Sequence, residues 1–481
     1  MNIRGVQTPK RSIWQRKSAI ALSLLVSVSV VAAGCSNSDS ASESSSTTTA
    51  PSSTGESSGE IDGQFGIPEF YEPPSPLPSG EHGELIRKEE IDAPEGARAW
   101  RILYLSELHD GTPVAVSGFV VAPEGAAPEG GRKVVAWAHG TEGGGRNCAP
   151  SLAPKPAVEL VDYFTYTSTL QQDSGVPALS EMLAAGYVVV ATDYQGLGTP
   201  GIQQYTVLES ESNNIWDSVK AAQKIDETGA GDDMVVLGWS QGGGASVWMS
   251  QNQDYGAPLR LLGTAGLAPA ADNGPQFARQ VPPGPSNATS PAHAVALQLN
   301  VFRGLAAAYP ELKVSDVVTK AGEEAMVGAA QQCISHLAYV INSNLTTPPG
   351  ETLLNPNIPA DWQQRLNENT AGYSAPKVPV LVMQGTADTV VNPNGTTQYI
   401  ARACGFGQPV EYTMYEGATH QTIPNDSKSE YLAWFADRFN GAPAPSNCAP
   451  PGSPQTAPSP IPTPAPLIPA PTTPSGPAPT P

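Results

Sequence analysis

The stretch Met234-Val235-Val236-Leu237-Gly238-Trp239-Ser240-Gln241-Gly242-Gly243-Gly244-Ala245-Ser246-Val247-Trp248 decides the reading of this chain. Four apolar residues form a short strand, and Gly243 to Trp248 open a helix. Between them, glycines two places before and two places after Ser240 allow a turn too tight for larger residues. A serine on such a turn projects its hydroxyl from the end of a strand. A hydroxyl becomes a nucleophile only when a nearby base takes its proton, so the chain must be searched for that base.

Strand-like runs lie on both sides of the turn. Arg101–Leu108 and Val114–Ala122 flank Asp110-Gly111-Thr112-Pro113 and read as an antiparallel hairpin. Lys133–Ala138, Tyr187–Thr192, Leu259–Leu267, Val378–Met383 and Val410–Tyr415 are short, nearly continuous apolar runs, the pattern of strands buried on both faces. Helical spacing alternates with them, as in Ile215, Val219 and Ala222, and later in Leu432, Phe435 and Phe439. Strand and helix in alternation predict an α/β fold with a mostly parallel central sheet flanked by helices, of the α/β-hydrolase type. From about residue 269 to 373 the rhythm stops. Helical patterns at Ala292–Tyr309, Val317–Asn342 and Asp361–Asn369 predict a helical cap inserted before the last two strands, over the carboxyl edge of the sheet.

In this fold the acid and the base follow the nucleophile in the order Ser, Asp, His. Asp388 lies just past the strand Val380–Met383, and His420 just past Val410–Tyr415. Asp272, just past Leu259–Leu267, is the alternative acid. The other two histidines beyond Ser240, His293 and His336, fall inside the insertion and are read as surface or core residues. The N–H of Gln241 is the first donor expected for a developing oxyanion. A second is expected from the loop His139-Gly140-Thr141-Glu142-Gly143-Gly144-Gly145, with Thr141 or Glu142 as candidate and His139 as a brace. Asp193, in Asp193-Tyr194-Gln195-Gly196-Leu197-Gly198, is read as shaping the sheet edge, because an acid on that strand is out of order. The loop glycines are not followed by the GK[ST] of a phosphate-binding loop.

The ends of the chain say where it works. Residues 1–34 join Arg4, Lys10, Arg11, Arg16 and Lys17 to an apolar run ending Val31-Ala32-Ala33-Gly34, before Cys35. This is the pattern of a bacterial lipoprotein leader, with Cys35 as the acylated first residue of the mature chain and an extracytoplasmic location on the membrane. Removing the leader, which carries five basic and no acidic residues, moves the formal charge from −20 to −25. So acidic a chain excludes nucleic acid as a partner and leaves the lipid, rather than charge, to hold the protein at the membrane. Residues 35–63 read as a Ser/Thr-rich tether and 442–481 as a Pro/Ala-rich disordered tail, leaving 64–441 as the folded part. Of the five cysteines, Cys35 takes one. Cys148, Cys333, Cys404 and Cys448 remain as an even set in an oxidising compartment, and counting does not choose among their pairings. Their spacing is not that of a zinc site, so no metal is expected. The triad chemistry requires no cofactor, and a monomer is expected.

Beyond the triad, Asn147-Cys148-Ala149-Pro150-Ser151, the Asp-Tyr-x-Gly-Leu-Gly of 193–198 and Gln332-Cys333 within the insertion resemble the secretory lipase family over roughly residues 65–450. The resemblance implies a capped α/β-hydrolase acting on acylglycerols and other carboxylic esters. It implies the disulfides Cys148–Cys333 and Cys404–Cys448, and it aligns Glu142 with an acidic residue of the oxyanion loop. The chain departs from the family pattern at His139-Gly140, and at Gln241, where the family has glycine. Acyl transfer or peptide cleavage by the same triad, and a non-catalytic wall-binding role, are the competing readings.

Overall fold

A computed structural model describes residues 66–161, 173–273, 291–343, 352–374, 377–407 and 409–448. The leader, Cys35, the tether, residues 274–290 of the insertion and the tail beyond Cys448 lie outside them.

Nine strands form one sheet: β1 (Leu85–Ile91), β2 (Ala97–Glu107), β3 (Pro113–Pro123), β4 (Arg132–Ala138), β5 (Val188–Thr192), β6 (Ala230–Trp239), β7 (Arg260–Leu267), β8 (Val380–Gly385) and β9 (Val410–Tyr415). Their order is β1-β2-β3-β5-β4-β6-β7-β8-β9. The first three pair antiparallel, β3 meets β5 antiparallel, and from β5 through β9 all pairing is parallel. The predicted hairpin closes where Leu108 N–H donates to Thr112 O at 2.9 Å and Asp110 Oδ1 accepts the Thr112 N–H at 3.0 Å.

The continuous apolar runs have a simple cause: successive residues of one strand enter two different cores. Val135, Trp137, Val189, Ala191, Val235 and Leu237 pack on one face with helices α1 (Leu179–Ala184) and, near the C-terminus, Lys428–Phe439. Val134, Ala136, Val188, Val190, Met234 and Val236 pack on the other with α2 (Leu208–Gln223) and α3 (Gln241–Met249). Burying both faces removes any polar alternation from the sequence.

Between β7 and β8 stand α4 (Pro291–Ala308), α5 (Lys320–Ala329), α6 (Ile334–Asn342) and α7 (Ala360–Glu368). This cap has its own core, including Leu299, Phe302, Leu305, Leu337 and Trp362, which also takes in Tyr205 and Val207 from the loop after β5. The helical pattern read as Val317–Asn342 is interrupted by extended backbone at Cys333, φ −75° and ψ 156°. The interruption lets Cys333 pair with Gly143 and bond to Cys148, with Cα atoms 5.4 Å apart. A second disulfide joins Cys404, in α8 (Pro393–Gly405), to Cys448. The short α9 (Ile423–Asp426) and α10 (Lys428–Phe439) complete the chain order.

Candidate active site

Ser240 joins β6 to α3 with φ 57° and ψ −115°, a conformation that costs a non-glycine residue about 1–3 kcal/mol. The elbow is held from three sides: Ser240 N–H donates to Leu267 O at 2.9 Å, and Ser240 O accepts from Ala270 N–H at 2.9 Å and Gly244 N–H at 3.0 Å. Its flanking glycines have no room for a side chain. A Cβ on Gly238 would meet Gly242 O at 2.1 Å, and one on Gly242 would meet Ala138 O at 2.0 Å.

Asp388 sits in the turn after β8 and receives four donors. Val390 and Val391 donate their N–H groups to Oδ1 at 2.8 and 2.9 Å, while Gln384 Nε2 and His420 Nδ1 lie 3.0 and 2.8 Å from Oδ2. The acid is thus oriented before it meets the imidazole. His420 follows β9 and is brought to the elbow by its own backbone, since Trp239 Nε1 donates to His420 O at 3.1 Å. The indole and imidazole centroids are 5.3 Å apart. Ser240, Asp388 and His420 are all buried. Asp272, the alternative acid, faces Arg402 with Nη1 at 3.4 Å from Oδ2. His293 is buried in α4, where burial pushes its imidazole down to about 4, and His336 is exposed on α6.

Gln241 is the first residue of α3, so its N–H has no acceptor within the helix. Among the described residues neither this N–H nor that of Thr141 donates a hydrogen bond. Thr141 Oγ1 is 2.6 Å from Tyr205 Oη, which fixes the residue against the cap-facing loop. The Glu142 side chain is occupied, accepting Asp173 N–H on Oε2 at 2.8 Å, and its carbonyl takes Ile334 N–H of the cap at 2.7 Å. His139 braces the loop, with ring nitrogens 2.7 Å from Gly140 O and 3.2 Å from Asp193 O. Burial pushes its imidazole down to about 4, so it is neutral at physiological pH. Asp193 is fully buried. It accepts Ser117 Oγ at 2.6 Å, Ser151 N–H at 2.9 Å and the Ser151 hydroxyl, pinning the 3₁₀ turn Pro150–Leu152 to the sheet edge.

With this geometry the comparisons with known proteins become specific. The secretory lipase family model matches residues 163–447. The chain belongs to that family. Among curated proteins it is similar to Lipase 6 of Candida albicans, 25% identical over 415 residues that cover 79% of this chain and 83% of the relative. A secreted triacylglycerol lipase of Malassezia restricta is 24% identical over 398 residues, covering 78% and 79%. Among solved structures, Candida antarctica lipase A superposes with a TM-score of 0.60 at 18% identity, covering 79% of this chain and 87% of its own. The cell-wall degrading esterase LipA of Xanthomonas oryzae superposes at 0.58 and 15%, covering 76% and 100%. The secretory lipase has the α/β-hydrolase fold with a helical cap, and is a carboxylic ester hydrolase.

Three residues that sequence reasoning passed over touch this site. Trp239 stood in the quoted motif without a role. Gln384 is the last side chain of β8 before the acid's turn, and its place four residues ahead of Asp388 was the available signal. Glu211 lies in Ser210-Glu211-Ser212-Asn213-Asn214, a polar run that reads as a solvated helix face, yet every residue of it is buried.

Proposed function

We propose that Ser240 attacks the carbonyl carbon of a lipid or other carboxylic ester, and that the acyl group is carried on its hydroxyl until water releases it. His420 takes the serine proton and passes it to the leaving alcohol, and Asp388 holds the imidazole in the tautomer in which Nε2 is the accepting nitrogen. The N–H of Gln241, with that of Thr141 or Glu142, binds the oxyanion. The cap covers the reacting atoms and shapes the acyl site. The observation that supports this reading most is the Trp239 indole bonded to the backbone of His420. It ties the residue before the strained serine to the histidine that is already paired with Asp388.

Labelling of the purified protein by an organophosphonate tests it. One equivalent of covalent adduct is expected on the wild type and none on Ser240→Ala; a wild type that turns over no nitrophenyl ester and takes no label would favour a binding role, and peptide turnover without ester turnover would favour a peptidase. The leader pattern supports export and anchoring of the monomer outside the membrane by lipid on Cys35. Partition of the expressed protein into the detergent phase, lost in Cys35→Ala, is the expected result, and equal partition of the two forms would overturn the anchor.

A further inference from the structure

The side chain of Gln241 is buried against α2. Its Nε2 donates to Glu211 Oε1 at 2.7 Å, and the same oxygen accepts the N–H of Thr206 at 2.8 Å. Glu211 is 2% exposed, and its Oε2 has no hydrogen-bond partner among the described residues. Thr206 has left-handed backbone, φ 61°, and its carbonyl accepts Asn273 Nδ2 at 3.3 Å, just past β7. One carboxyl therefore joins three segments around the elbow: the loop after β5, helix α2 and the start of α3.

An ionised carboxylate with one bare oxygen is costly in such a place, whereas a neutral carboxyl with Oε1 as its carbonyl keeps both N–H bonds. Burial pushes the Glu211 carboxyl up to about 8, opposed only by the Thr206 N–H and the Gln241 amide. Among the described residues no charged side chain is a cause of that shift; His109 acts on the neighbouring Glu209 instead, and Arg303 of α4 packs against Gly144. Tyr194 and Tyr205, after β5, have phenols raised by burial and by Glu211 itself; His139, after β4, is neutral; Glu142 and Glu209 are acids.

We propose that Glu211 is a positioning residue for the oxyanion donor: its neutral carboxyl clamps Gln241 from behind, and its ionisation sets the alkaline limit of turnover. The proposal rests on the reading of Ser240 as nucleophile and of the Gln241 N–H as donor. Negative charge builds on the substrate oxygen in the transition state, and a second negative charge behind the same donor, shielded from water, opposes it. The amide of the Gln241 side chain is what gives the clamp something to hold.

The experiment uses the full chain and a nitrophenyl ester between about pH 6 and about pH 9. The wild type is expected to lose kcat on the alkaline side. Glu211→Ala is expected to lower kcat about tenfold at neutral pH with KM nearly unchanged. Glu211→Gln, which keeps an acceptor for both N–H groups and has no proton to lose, is expected to recover most of that turnover and to show no alkaline fall. Because the folded carboxyl holds a proton that the unfolded chain releases, stability also declines as pH rises from 4.5 through about 8. Near-ultraviolet circular dichroism at each pH therefore separates unfolding from loss of turnover in the folded enzyme. An alkaline fall in Glu211→Gln equal to that of the folded wild type overturns the proposal, as does a folded Glu211→Ala with wild-type kcat. If Glu211→Ala does not fold, the Gln profile decides. Phosphonate labelling keeps the premise separate: an unlabelled Ser240 sinks the reading of the site, and a labelled one with an unchanged Gln profile sinks the clamp alone.

Discussion

Replacement of Asp388 by Asn is expected to lower kcat on a soluble ester by about four orders of magnitude with KM nearly unchanged. The size of the effect follows from how fully the carboxylate is committed. Oδ1 holds Val390 and Val391 N–H, and an amide oxygen placed there would keep both. The amide nitrogen then falls at Oδ2, opposite two donors, Gln384 Nε2 and His420 Nδ1. Gln384 is not free to flip, because its Oε1 accepts the Thr396 hydroxyl at 2.6 Å. The imidazole must give way, either by turning or by presenting bare Nδ1 to the amide. In the second case Nε2 carries the proton and can no longer take one from Ser240. Steady-state kinetics on the folded variant check this. A kcat within about tenfold of wild type would mean that another group orients His420.

Loss of the Cys148–Cys333 disulfide is expected to be the most damaging change to stability. The cysteines are 185 residues apart, and opening a loop of that length costs about 5 kcal/mol in the chain-entropy account. The double variant Cys148→Ser, Cys333→Ser is expected to melt lower by on the order of 10 °C. It should also lose turnover while still folded, since the bond sits where the cap meets the loop after β4 that is proposed to hold the second oxyanion donor. There Gly144 N–H donates to Gln332 O at 3.3 Å, and a Cβ on Gly143 would meet Cys333 Cα at 2.6 Å. Cys404–Cys448 supplies the control. It closes a loop of 44 residues beside the first residue of β9, at the amino edge of the sheet, and its removal is expected to lower the melting temperature with kcat intact. Equal kinetic effects from the two pairs would mean that the cap junction does not position the loop.

Much of the fold was legible because burial leaves a direct mark on composition. Strands covered on both faces became apolar runs, and the turns holding Ser240, Asp388 and His420 had to follow them. The legible parts are those where one local segment carries the whole constraint. The strand Leu85–Ile91 was not found, because an edge strand bonded on one side keeps its charges: Arg87, Lys88, Glu89 and Glu90 face solvent or one another's neighbours. The break at Cys333 was not found either, since nothing in the helical spacing of α5 and α6 records a partner far back in the chain. Glu211 escaped for the opposite reason to the strands. Its burial is among polar groups, and a polar helix face looks the same in sequence whether it meets water or the back of an elbow.

The contact between Trp239 and His420 has an optical consequence. An indole held 5.3 Å from an imidazole loses emission when the ring is protonated, because the cation accepts an electron from the excited state. The same indole is hydrogen-bonded to the histidine's backbone, which fixes the spacing. The difference in emission between the wild type and Trp239→Phe is thus expected to follow the protonation of His420, a gauge of the resting protein that needs no substrate.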